Sequence, residues 1–107
     1  MKKSIWLSYD LGVRGDYSGL YQWLDNLDAV ECGNSNAFFR IEVEENEDVA
    51  EKLKSEISKN VDIKNGERFY VIYKKADRKC VGKYIFGNRK ANPWTGYKQK
   101  PANEDVE

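Results

Sequence analysis

Ser4-Ile5-Trp6-Leu7-Ser8-Tyr9-Asp10 sets Ile5, Leu7 and Tyr9 on one side of a period-two pattern, and Trp6, Ser8 and Asp10 on the other. Alternation of this kind marks a strand, and apolar groups on both faces suit a central one. Gly12 and Gly15 then bracket a turn. Asp16 follows as a helix N-cap. Behind it Tyr17, Leu20, Tyr21, Leu24 and Leu27 fall on one helical stripe. Gly19 inside that helix costs about 1 kcal/mol relative to alanine, which points to close packing at that position or to a slightly shifted helix start.

Outward from this βα start the same two periods recur. Ala29–Cys32 and Ala37–Glu44 read as strands joined by the turn cluster Gly33-Asn34-Ser35-Asn36, a hairpin. Ala37, Phe39, Ile41 and Val43 share one face of the second strand, and Phe38, Arg40, Glu42 and Glu44 the other. The acidic run Glu45–Asp48 favours the positive end of a second helix, whose buried stripe is Val49, Ala50, Leu53, Ile57 and Val61. Asn65-Gly66 is a turn. Phe69–Lys74 is a strand, 76–79 a turn, and Cys80–Phe86 a last strand.

The order βαββαβ with an extra strand predicts an α+β, ferredoxin-like plait with an extra C-terminal strand. Its antiparallel sheet has four to five strands, and both helices lie on one face. We divide the chain into a domain at 1–87 and an irregular C-terminal tail at 88–107. The uncovered face would carry Trp6, Phe38, Tyr70 and Ile72, a large apolar patch for so small a protein. A second copy of the chain is the simplest cover, so these residues are candidate interface positions and a homodimer is expected.

Composition removes several kinds of chemistry. The 107 residues contain no histidine, which excludes Ser-His-Asp and Cys-His nucleophile pairs and His-ligated zinc. Cys32 and Cys80 are too few for a zinc cluster or a disulfide framework. Both read as core residues, and two unpaired thiols suit a cytoplasmic location. No apolar run is long enough to span a membrane, and the stretch behind Lys2 and Lys3 reads as a strand rather than a signal peptide. No G-x-G-x-x-G or Walker motif supports nucleotide triphosphate binding. The 18 basic and 18 acidic side chains cancel. Yet residues 1–60 carry 7 basic and 12 acidic groups, whereas 61–100 carry 11 and 3. One part of the fold can therefore still offer a basic surface.

Three features are candidates for function. Asp10 ends the first strand beside a glycine-flanked turn, where a carboxylate is open to a divalent cation. Magnesium takes one or two carboxylates with water and phosphate, so a two-fold pair of Asp10 residues could hold one Mg2+ over a phosphodiester. Alternatively, Asp10 is a turn-capping aspartate. Arg14 has the forked guanidinium that suits a phosphate, and Ser35 in the hairpin turn could lend a donor; both are also ordinary turn residues. The third feature is 79–100, where Lys83, Arg89 and Lys90 interleave with Tyr84, Phe86, Trp94 and Tyr97. Such a pattern attracts a phosphate backbone and stacks on bases. It serves a protein interface equally well, with Trp94 as its anchor.

Ile5-Trp6-Leu7-Ser8-Tyr9-Asp10-Leu11, Asp16-Tyr17-Ser18-Gly19-Leu20-Tyr21 and Ser35-Asn36-Ala37-Phe38-Phe39 together resemble the small CRISPR-associated "Cas two" nuclease family. The likeness is closer to its stand-alone relatives outside CRISPR loci, and it covers about residues 4–75. It implies a homodimer with sheets packed face to face and the C-terminal strand exchanged onto the partner. It further implies a metal-dependent phosphodiesterase (an endonuclease), or a nucleic-acid-binding scaffold, with the family's metal-binding aspartate falling on Asp10. The expectation is a dimeric protein associated with RNA or DNA that cleaves phosphodiesters weakly with Mg2+. The alternative is a non-catalytic interaction module of a toxin–antitoxin or phage-defence system, which meets a protein partner through the C-terminal tail.

Overall fold

The computed structural model describes residues 1–89 and 91–99. Its elements are β1 (Lys2–Asp10), α1 (Tyr17–Asn26), β2 (Val30–Gly33), β3 (Asn36–Glu42), α2 (Val49–Asn60), β4 (Arg68–Lys74) and β5 (Cys80–Phe86). The strands form one five-stranded antiparallel sheet in the order β2-β3-β1-β4-β5. This is the ferredoxin-like plait with an extra strand on the β4 edge. β1 is central, as its two apolar faces require.

The alternation along each strand divides the sheet. Ile5, Leu7, Phe39, Ile41, Phe69 and Val71 point to the helix side, where they are buried with Leu20, Trp23, Leu53 and Ile57. Ile5, Leu20, Leu53, Ile57, Phe69 and Val71 are 0% exposed. Burying a side chain of this size contributes about 1.5–3 kcal/mol, so this single core carries the fold.

Each helix is capped and pinned by an aspartate. Asp48 Oδ1 accepts from Ala50 N at 2.9 Å and from Glu51 N at 3.3 Å, which satisfies amides that α2 leaves open. Asp16 does more. Its Oδ1 accepts from Gly19 N at 2.9 Å, and its Oδ2 accepts from Asp62 N, also at 2.9 Å, so one carboxylate ties the start of α1 to the chain leaving α2. A Cβ on Gly19 would lie 2.5 Å from Asn60 O, which is why a glycine is tolerated inside this helix.

Four details differ from the sequence expectation. The inner stripe of α1 is Leu20, Trp23 and Leu24, while Tyr21 is 53% exposed. The helix is rotated so that Trp23 packs edge-on against Phe39, with ring centroids 5.5 Å apart. Cys32 and Cys80 are exposed rather than core, because β2 and β5 are the two edges of the sheet. β5 pairs with β4 of its own chain, from Lys74↔Cys80 to Phe69↔Phe86. The connecting loop is closed by Lys75 N to Lys79 O and Arg78 N to Lys75 O, each 2.9 Å. This hairpin places Cys80–Phe86 on its own sheet in the protomer, where the resemblance implies a strand exchanged onto the partner. Finally, the tail is not featureless: Thr95 N donates to Asn92 O and Tyr97 N to Trp94 O, each at 3.0 Å, forming consecutive turns.

Candidate functional site

The helix-free face is built by the residues between the buried ones. Trp6 stands opposite Phe38 on β3 and Ile72 on β4, and Ser8 opposite Tyr70. Tyr70 stands opposite Tyr84 on β5. The Trp6 and Phe38 rings lie 5.1 Å apart, and those of Tyr70 and Tyr84 4.8 Å apart. Trp6 and Ile72 are each 43% exposed. The structure thus brings together the four predicted face residues, Trp6, Phe38, Tyr70 and Ile72, across the middle of the sheet.

The second feature is the end of the sheet where β1 stops. Asp10 lies opposite Arg68, and the Arg68 guanidinium Nη2 donates to Asp10 Oδ2. That bond raises the guanidinium pKa further above its ordinary value, so Arg68 is a permanent cation. Two shallow hollows share Asp10. One is lined by Arg14, Lys64 and Glu67. The other is lined by Arg68, Arg89, Tyr70, Tyr84 and Trp94. Glu67 is 5% exposed, and its Oε1 accepts from Lys64 N at 2.9 Å. The tail reaches this end because Gly87 has φ +76° and a Cβ there would lie 2.5 Å from Glu67 O. Only a glycine lets the chain leave β5 pressed against Glu67 and Arg68.

Of the predicted site residues, Asp10, Arg14, Arg89 and Trp94 therefore gather at one end. Ser35 belongs to the same end: its φ is +59°, and its carbonyl accepts from Tyr9 N at 3.1 Å. Lys83 does not join them. It lies opposite Val71, on the helix side of the edge strand. Lys90 falls outside the described residues. Sequence reasoning missed Arg68 as the partner of Asp10, because the pairing exists only through the β1/β4 register. It also missed that the tail folds back beside Asp10, although Gly87 after the last strand was the available signal.

The chemistry of the site is cationic and aromatic. Among the described residues there is no group of three or more His, Cys, Asp or Glu side chains able to hold a metal. Within one protomer the two carboxylates near this end are both committed, Asp10 to the Arg68 guanidinium and the buried Glu67 to Lys64 N, which does not fit a resident Mg2+. Tyr9, next to Asp10 in the chain, has its pKa pushed up to about 12, first by burial and then by its contact with Tyr21. It stays protonated at neutral pH and is no general base. No helix among the described residues is long and apolar enough to cross a membrane. Comparison with protein-family models, with curated proteins and with solved structures finds no match for this chain.

Proposed function

We propose that this chain is a cytoplasmic, nucleic-acid-associated protein that works as a homodimer closed through the helix-free sheet face. The observation that carries the nucleic-acid reading is the set of cations around Asp10. Arg14, Lys64, Arg68 and Arg89 line the two hollows, against Asp10, which Arg68 engages, and Glu67, which is buried. In a chain with no net charge, this is a local concentration of positive groups suited to a phosphate backbone. The dimer reading is supported by Trp6, Phe38, Tyr70 and Ile72, which water would otherwise wet. Two free, exposed thiols suit a reducing compartment.

The endonuclease reading is narrower. A Mg2+ would need Asp10 from both protomers, and each Arg68 would have to pass from its carboxylate to the substrate phosphate. If the chain is instead a non-catalytic interaction module of a toxin–antitoxin or phage-defence system, it binds no RNA or DNA even at low salt. The test is oligonucleotide binding across a salt series. Binding should weaken steeply with salt, and Arg14→Gln should lower the logarithmic slope by about 1. Absence of binding at low salt would overturn the reading. If binding holds, Asp10→Asn should abolish Mg2+-dependent cleavage; cleavage that persists in that variant ends the enzyme claim alone.

A further inference from the structure

The hollow between the sheet end and the tail has a more specific character than a basic patch. It measures about 330 Å³, within the lower range of small-ligand sites. Arg68 and Arg89 supply charge, and Tyr70, Tyr84 and Trp94 supply ring faces and edges. Tyr70 and Tyr84 meet edge to face at 72°, and Trp94 on the folded-back tail remains 68% exposed. Among the described residues, Asp10 is the one carboxylate lining the hollow, and Arg68 engages it.

We infer that this hollow holds a single unpaired nucleotide, its base against the Trp94 ring and its phosphate on Arg89. The inference rests on the nucleic-acid reading above and names the form of nucleic acid it takes. In a duplex both faces of each base are occupied by stacking neighbours, so rings of this kind are of use only to a base out of the stack. The Asp10 carboxylate repels phosphate from its own side, which directs the phosphate toward Arg89 and leaves the base toward Trp94. Arg68, held by Asp10, forms one wall of the hollow. Gly87, with its left-handed φ, lets the chain leave β5 pressed against Glu67 and Arg68 on the way to Trp94.

The experiment compares the affinity of the full chain, at low salt, for a short single-stranded oligonucleotide, an abasic strand of the same length and a duplex of the same sequence. The single strand with its bases should bind roughly 5- to 160-fold more tightly than the abasic strand, the range that one base–aromatic stack contributes. Trp94→Ala should remove that margin and leave abasic and duplex binding unchanged, while Trp94→Phe should keep most of it. Trp94 is exposed, so these variants leave the core intact. Equal binding of all three polynucleotides, with Trp94→Ala silent, would overturn this inference and spare the nucleic-acid reading. Binding of none of them would overturn both.

Discussion

The two faces of the sheet are made from the same strands, with side chains of similar size, yet they stand in opposite conditions. On the helix side Phe69, Phe39 and Ile5 meet two capped helices and lose all or nearly all contact with water. On the other side Trp6 and Ile72, one residue along, keep 43% of their surface exposed. The difference teaches that the first face specifies the protomer, while the second is the face that the proposed homodimer would cover. Rings are ordinarily spent on cores; here Trp6, Phe38, Tyr70 and Tyr84 are spent on the surface.

The largest expected effect tests that division. Phe69→Ala should destabilise the protomer by about 3–5 kcal/mol, independently of protein concentration. Trp6→Ala should cost the isolated protomer only about 1 kcal/mol or less, yet abolish any dependence of the thermal midpoint on concentration. Chemical and thermal unfolding at several concentrations separates the two. Should both variants behave alike, the two faces do not differ in role.

Next in size is the junction of fold and tail. Gly87→Ala forces a left-handed φ on a residue with a Cβ and drives that Cβ into Glu67 O, costing about 1–3 kcal/mol. Gly66 offers the control, since it has φ +90° but nothing within 4 Å of a Cβ. Gly66→Ala should cost less, about 1–2 kcal/mol from strain alone. An equal loss at both positions would mean that the approach to Glu67 is unimportant.

The elements legible in the chain were those whose period expresses a single environment. β1, β3, β4 and α2 were predicted with their inward residues correct, because each alternates or repeats against one core. α1 was read one position out of rotation: Tyr21 and Trp23 both fit a helical stripe, and only packing against Phe39 selects Trp23. The cysteines were placed inside because strand propensity is blind to whether a strand is an edge. At the site, Asp10 was legible as a strand-end carboxylate, but Arg68 lies 58 positions away in the chain, and only sheet register joins them. The convergence of Arg89 and Trp94 on that same end follows a left-handed glycine at 87 and the turns beyond it, whose direction composition does not encode.

The smallest effect concerns the link between the two helices on the covered face. Hydrogen bonds from Asp62 N and then Gly19 N hold the Asp16 carboxyl below its ordinary pKa of 3.8. A carboxylate lowered in the folded state stabilises it fully above the unfolded-state pKa. That contribution is lost as the pH falls through the lower folded-state value. Asp16→Asn should therefore reduce stability at neutral pH and flatten the acid limb of the stability profile below about pH 4. An unchanged acid limb would mean that Asp16 does not couple the helices.

The most direct measurement of the central claim is the molar mass of the full chain in solution by light scattering at micromolar concentration, beside Trp6→Glu. A charge at Trp6 leaves the helix-side core untouched and cannot be buried unpaired between two copies of the face. The account predicts twice 12.4 kDa for the unaltered chain and 12.4 kDa for the variant. A mass of 12.4 kDa for the unaltered chain, with its aromatic face open to water, would contradict it.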